Sequence, residues 1–363
     1  MKPTDTDDND KKEGRLSRRE LLKMAPAAAL AVGAGAMLLR EGQSKESFVK
    51  IGPSSHDPAL CLSDEGAVKY NQAVALSSST WIDNFQGPGI DPAKFLYDFD
   101  YGTVSEEKPN GTSVREYYLE AIDKEIEVAH GVYYPAWTYN GQVPGPTLRC
   151  TEGDTVRLHF TNKSTHNHTV HFHGIHPASM DGVFETVRPG ESFTYEFTAE
   201  PFGVHEYHCH IQPLTKHISK GLYGTFIVDP KPPRPPATEM VMVMNGFDVN
   251  FDGENEFYTI NGFANYHVER PIELKVGEPV RVYLVNMTEF DPVNSIHLHA
   301  NFFRLYQTGT KLDEYEFTDT AMFCQGERAI LEFSYKFPGV YLFHAHQSEF
   351  AELGWLGHFN VTE

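Results

Sequence analysis

The sequence predicts an all-β protein built from two tandem Greek-key β-sandwich domains, and three observations predict it. Short stretches of alternating apolar and polar residues, such as "TVRLHFTN" (155–162), "ESFTYEFTA" (191–199) and "GTFIVDP" (224–230), are separated by Gly, Pro, Asn and Asp. That is the period of strands half-buried in a sandwich. The text then recurs: "EGDTVRLHFTN" is echoed by "VGEPVRVYLVN", "GESFTYEF" by "GERAILEF", and "FGVHEYHCH" by "PGVYLFHAH". Two copies of one supersecondary unit explain the echo. Between them "DPKPPRPPATE" (229–239) carries five prolines and reads as a stiff linker.

Taken in order, residues 1–40 contain Ser17-Arg18-Arg19 and Lys23 ahead of an apolar run from Met24 to Leu39. Sixteen residues are short for a membrane span, and the pattern predicts a twin-arginine export signal. It places the protein in the periplasm or outside the cell, anchored if the signal is uncleaved. Residues 41–112 show weak periodicity and are expected to form an irregular N-terminal extension. The first sandwich is expected over 113–230 and the second over 237–363.

With 363 residues and 40% hydrophobic content, the chain can fill two cores. Its 30 basic and 50 acidic residues give a formal charge of −20, which argues against nucleic acid or an anionic membrane surface as a partner. The four cysteines form no C-x-x-C pair; a Cys61–Cys150 or Cys150–Cys324 bridge is permitted but not required.

Four H-x-H motifs stand at matching points of the repeat: His171/His173, His208/His210, His297/His299 and His344/His346. On a strand, residues two apart share a face, so each motif presents two imidazoles to one side. Cys209 lies between His208 and His210 and therefore points the other way, toward its own domain's interior. His168 has the opposite parity to His171 and shares that side; His217 follows Cys209 by eight residues and Leu222 follows His217 by five. One thiolate, two imidazoles and a weak or absent axial group suit the trigonal site of a blue copper centre, with Leu222 as a non-coordinating axial neighbour. The second copy has Asn294 and Ala345 in place of His168 and Cys209, with Phe350 and Trp355 in the stretch matching His217 and Leu222. It keeps the histidine pairs and lacks every ligand of the trigonal site. His166, His176, His205 and His358 fall near the motifs but off these positions.

The chain resembles the two-domain multicopper oxidases, the small laccase-like proteins with type 1 copper in domain 1. The resemblance covers roughly 113–363 and rests on H-x-x-H-F-H-G at 168–174, H-C-H at 208–210 with His217 and Leu222, H-L-H at 297–299, H-A-H at 344–346 and "NGQVPGPTLR". It implies cupredoxin-like domains and four coppers per chain. The type 1 copper would be held by His168, Cys209 and His217. His171 and His297 would hold type 2 copper, and His173, His208, His210, His299, His344 and His346 the type 3 pair. Asp181 resembles the family's acidic residue near type 2 copper, with Glu349 and Glu352 as further candidates for proton delivery. The activity implied is one-electron oxidation of a reducing substrate, phenol-like or a metal ion or a small electron-transfer protein, coupled to four-electron reduction of dioxygen to water. No methionine-rich insert is present, which disfavours Cu(I) as the substrate.

Two rival readings remain. A copper nitrite reductase shares two such domains, but it has an aspartate where His171 stands and lacks complete late pairs. A copper-storage protein has no use for a thiol wired between two cluster ligands. Since each domain bears four of the eight cluster histidines on one face, and a short linker holds the domains head to tail, the resemblance implies a homotrimer with clusters at subunit interfaces.

Overall fold

The computed structural model describes residues 89–363. The export-signal segment, residues 41–88 and Cys61 lie outside the described residues. A short helix α1 (Pro92–Phe95) leads into β1 (Phe99–Asp100), β2 (Thr103–Glu107), β3 (Ser113–Ala129), β4 (Val132–Tyr139), β5 (Thr147–Thr151), β6 (Thr155–Asn162), β7 (His171–Phe172), β8 (Ser192–Thr198) and β9 (Gly203–His208). Helix α2 (Leu214–Ser219) and β10 (Tyr223–Asp229) complete the first half. The second half runs β11 (Thr238–Phe247), β12 (Phe257–Ile260), α3 (Tyr266–Glu269), β13 (Ile272–Lys275), β14 (Val280–Asn286), β15 (Val293–Leu298), β16 (Phe303–Gln307), β17 (Glu316–Thr318), β18 (Thr320–Cys324), β19 (Arg328–Phe333), β20 (Gly339–His344), α4 (Ser348–Glu352) and β21 (Leu356–Thr362). None of the described helices is long and apolar enough to cross a membrane.

Each half is a sandwich. The first packs β1-β5-β10-β9-β7 on β2-β3-β6-β8, with β4 added to β3; the second packs β12-β11-β14-β19-β16-β17 on β13-β21-β20-β15-β18. No sheet mixes strands from the two sides of the linker. The non-consecutive neighbours are the crossovers of Greek-key connection. Inward positions of each pair of sheets fill separate cores, one around Leu158, Phe160, Phe172 and Phe226, the other around Leu284, Phe303, Leu331 and Trp355. A third apolar cluster, including Val128, Tyr134, Val204, Ile227, Val243, Tyr283 and Ile330, joins the domains to each other.

Where the chain crosses between domains, charge replaces apolar contact. Arg149 bonds both oxygens of Asp229 at 2.8 Å and reaches Glu239 at 2.7 Å; Arg281 bonds Glu239 and Glu332, each at 2.7 Å. Arg234, from the proline-rich linker, shares Glu332 at 2.9 Å. Bidentate geometry at Asp229 and burial of Arg149 and Arg281 make this a tight polar seam between the domains.

The reading of 41–112 as irregular is corrected for its last part. Residues 92–107 form α1, β1 and β2, with β1 parallel to β5 and β2 antiparallel to β3. Phe95 belongs to the interdomain cluster and Leu96 to the second core, and the Leu96 carbonyl accepts the Val241 amide at 2.9 Å. β1 is two residues long and β2 is exposed throughout, so neither offers an alternation to read; their pairing comes from partner edges far along the chain. A Cys150–Cys324 bridge does not form either, since Cys150 is buried in the first core and Cys324 is exposed on β18.

Candidate metal centres

β7 and β9 are antiparallel neighbours in which His171 is registered opposite His208; in the second domain β15 and β20 place His297 opposite His344. This common register gathers each set. In the first, the His171 ring lies 5.0–5.2 Å from those of His173, His208 and His210; in the second, the His297 ring lies 5.0–5.5 Å from those of His299, His344 and His346. His173 Nε2 is 3.2 Å from His208 Nε2, and His299 Nε2 is 3.0 Å from His344 Nε2.

The opposite ring nitrogens are already committed. His171 Nδ1 donates to the Asp181 carbonyl at 2.7 Å, and His297 Nδ1 to the Asp319 carbonyl at 2.9 Å. His208 Nδ1 lies 3.1 Å from its neighbour's carbonyl, Cys209 O, and His344 Nδ1 contacts Ala345 O at 2.6 Å. With Nδ1 protonated and oriented, each Nε2 is left as a free lone-pair donor, the arrangement metal-binding histidines use. Hydroxyls fix the last members: Thr169 Oγ1 accepts the His210 amide at 3.0 Å and Ser295 Oγ accepts the His346 amide at 2.8 Å.

On the other side of β9, Cys209, His168 and His217 converge. Cys209 Sγ is 3.2 Å from His217 Nδ1 and 3.8 Å from His168 Nδ1, and the two nitrogens are 3.2 Å apart. A triangle with these sides has its centre about 2 Å from every corner, the bond length of a first-row metal to nitrogen or slightly short of that to sulfur. All three residues are buried. Desolvation pushes His168 down to about 3 and His217 to about 4, so both are neutral donors, while burial raises the Cys209 thiol to about 11. A buried thiol with that resistance to ionisation needs a cation to become a thiolate, and the triangle has room for one. The Thr169 amide donates to Cys209 Sγ at 3.4 Å. Leu222 is fully buried in the cluster that holds Cys209, and its carbonyl accepts the Cys209 amide at 3.0 Å.

The second domain repeats this frame with other side chains. Ala345 donates to the Trp355 carbonyl at 3.1 Å as Cys209 does to Leu222, and Trp355 donates to Phe350 as Leu222 does to His217. Phe350 and Trp355 thus occupy the His217 and Leu222 positions, and Asn294 is buried against Thr288. An apolar plug fills the pocket.

Of the three carboxylates expected near the histidines, Asp181 Oδ1 lies 3.2 Å from His171 Nδ1 and 3.8 Å from His176 Nε2. Glu349 and Glu352 sit in α4, the counterpart of α2, one residue before and two after Phe350; burial and then Glu349 raise the Glu352 carboxyl. His205 is buried with Nε2 donating to the Pro201 carbonyl, and His176 Nε2 donates to the Phe172 carbonyl.

Two residues at the first half-site escape the sequence motifs. Glu206 is fully buried, with Oε1 3.3 Å from His173 Nε2, and neither oxygen has a hydrogen-bond donor. Burial raises its carboxyl to about 8, against the pull of Arg328. Arg328 comes from the second domain and bonds the Val204 carbonyl at 3.2 Å. Strand parity could have found Glu206, which shares a face with His208 and His210; no local pattern points to Arg328. Among the described residues, no grouping of candidate ligands combines histidines of the two sets.

Two multicopper oxidase family models match the chain, one over residues 121–233 and the other over 233–363. A crystal structure of a multicopper oxidase shares 52% identity, covering 76% of this chain and 98% of that one, with a TM-score of 0.74. A blue copper oxidase from Nitrosomonas europaea shares 29% identity over 68% of this chain and 85% of that one, with a TM-score of 0.60. A copper-containing nitrite reductase of Neisseria meningitidis is 30% identical, the match spanning 63% of this chain and 64% of that protein's length. Two matched domains, a triangle of one cysteine and two histidines in the first and a histidine set in each lead to one conclusion: the chain belongs to the multicopper oxidases, a family of copper-dependent oxidoreductases.

Proposed function

We propose that the protein is a laccase-like oxidase, taking electrons singly from a reducing substrate and delivering four of them to dioxygen to form two waters. The observation that carries this reading is the division of one tripeptide: Cys209 Sγ turns into the buried triangle while His208 and His210 turn to the opposite set. Copper, when bound, supplies one-electron redox chemistry and the reduction of dioxygen. Cys209 would hold the type 1 ion with His168 and His217, and the backbone on either side of it runs directly to the two cluster ligands. His171 and His297 would hold type 2 copper, and the other six histidines the type 3 pair, four coppers per chain. Asp181, with Oδ1 3.2 Å from His171 Nδ1, would carry a proton to the cluster.

The two half-sets lie on separate domains of one chain, which supports assembly of the cluster between chains. Exposed apolar side chains near them, Ile175 and Phe184 beyond the first pair and Phe302, Phe317 and Met322 beside the second, are suited to burial against another copy. We take the assembly to be a homotrimer, the smallest ring the resembling family implies. The twin-arginine-like segment supports export.

Nitrite reduction is the second reading, favoured by the likeness to the meningococcal enzyme. Copper analysis and oxygen uptake on the copper-loaded protein separate the two. About four coppers per chain with donor-dependent oxygen consumption is expected; two coppers with nitrite reduction and no oxygen uptake would transfer the assignment. Light scattering tests the assembly, which fails if a monomer retains four coppers and full turnover.

A further inference from the structure

Both imidazoles of the Cys209 triangle are buried, His168 fully and His217 with 4% exposed. What lies over them is Trp137 of β4. Its ring centroid is 4.8 Å from that of His217 and 5.4 Å from that of His168, edge-on to both. Its other neighbours face outward: the exposed His166 ring lies 4.3 Å away, tilted by 37°, and the Lys216 ammonium sits 5.1 Å over the indole. The amide of Trp137 donates to the Lys220 carbonyl at 2.9 Å, which ties the indole to the C-terminal end of α2, the helix carrying His217. A continuous π path therefore runs from an exposed imidazole through an indole to both nitrogen donors of the triangle.

The second domain shows what the fold alone requires at this point. Tyr258 donates its amide to Leu353 as Trp137 does to Lys220, and its ring stacks on Phe350 at 3.9 Å. Tyr258 is fully buried and its hydroxyl is bonded to Asp291 at 2.5 Å. An aromatic plug is thus common to both copies. Only in the first does the ring stand between a metal-capable triangle and an exposed imidazole.

We infer that electrons reach the Cys209 triangle through Trp137, from a one-electron donor seated on the His166 face. The inference rests on the oxidase reading for the presence of copper at Cys209, but not on the fate of dioxygen. It also narrows the substrate class. His168 Nε2 is closed to any hydrogen-bonding donor, whereas a flat π-system or the exposed cofactor edge of a redox protein can stack on His166. In each transfer the donor loses one electron, cupric ion becomes cuprous, no bond forms or breaks, and Trp137 ends as it began.

The test is anaerobic stopped-flow bleaching of the blue absorption by ferrocenemethanol, a neutral outer-sphere donor oxidised to its ferrocenium, in wild type, Trp137→Phe and Trp137→Leu. Transfer between fixed groups depends steeply on their contact, so Trp137→Leu should slow bleaching by about tenfold or more, with the Phe variant in between. Reoxidation of pre-reduced protein by oxygen should be unchanged in both. The potential of the blue site, measured in parallel, separates a lost path from altered driving force. An unchanged bleaching rate in Trp137→Leu, or a slowing wholly matched by a potential shift, overturns the inference; if the Leu variant does not fold, the same criteria apply to Phe. A second readout needs no turnover: Hg(II) added to metal-free protein should quench indole emission in wild type and lose that component in Trp137→Phe. Absence of the component in wild type would also overturn it. Failure of the copper assignment at Cys209 would look different, since no blue band would form, and failure of the oxidase reading alone would leave a blue protein that takes up no oxygen.

Discussion

Glu206 Oε1 lies 3.3 Å from His173 Nε2 in a pocket where neither carboxylate oxygen receives a hydrogen bond. The second copy of the fold has Leu342 at the same place, two residues before the first histidine of its late pair. An unsatisfied polar group so deeply buried costs about 1–3 kcal/mol, and more when charged. Glu206→Leu should therefore raise the melting temperature of the metal-free protein. The sign with pH follows from the raised carboxyl: between the ordinary glutamate value and about 8 the unfolded chain is ionised and the folded one is not, so wild type loses stability as pH rises through that window. The advantage of the Leu variant should widen over the same interval. A lower melting temperature at pH 8 would show that the carboxylate has a partner the geometry does not reveal.

The buried imidazoles act in the opposite sense. Burial, the largest cause in each case, takes His168 to about 3 and His205, His208, His217, His267 and His344 to about 4. Below pH 6.5 the unfolded chain binds protons that the folded one refuses, so metal-free protein should lose stability as pH falls from about 6.5 toward 4. Six such groups outweigh Glu206 in that range. Thermal unfolding followed at successive pH values checks the direction, and a melting temperature that climbs on acidification would contradict it.

Cys209→Ser should remove the blue absorption and one copper per chain while leaving the fold intact, because the thiol's backbone bond to Leu222 does not depend on sulfur. Oxygen uptake with an organic donor should fall to background. Retained uptake at the wild-type rate would mean that electrons bypass this residue.

At the interdomain seam, Glu239 accepts from Arg149, Arg281 and the Tyr283 hydroxyl at 2.7, 2.7 and 2.8 Å. Glu239→Ala takes one of two carboxylate partners from each of two buried guanidinium groups, at a cost of about 2–3 kcal/mol given the partial exposure of Glu239 itself. The urea midpoint should drop accordingly. No change would mean that Asp229 and Glu332 suffice for both arginines.

Much of the site was legible because strand parity is an arithmetic rule. Once 168–174 and 207–210 are read as strand-like, the faces of His171, His173, His208, His210 and Cys209 follow, and Asn294, Ala345, Phe350 and Trp355 identify the copy without a trigonal site. Glu206 obeys the same rule, but an acidic residue among histidines gives no sign of its burial until the sandwich closes over it. Trp137 precedes His168 by thirty-one residues and reaches the triangle only because β4 folds back along β3. Arg328 arrives from another domain. Contacts of that kind depend on how sheets are stacked, and periodicity within a strand carries no information about stacking. The same holds for β1 and β2, whose order comes from the strands they join.

The apolar cluster shared by the two sandwiches, with Val128, Val204, Val243 and Ile330 among its members, has a geometric consequence. A chain whose domains were joined by the linker alone could swing its two histidine faces through many directions. With a common core between them, the faces meet at one angle, as on a corner tile. Under the proposed assembly between chains, that angle would set the ring size inside the protomer before any two copies touch. Loosening a residue of that cluster should therefore broaden the distribution of assembly sizes without altering a single contact at the faces that join.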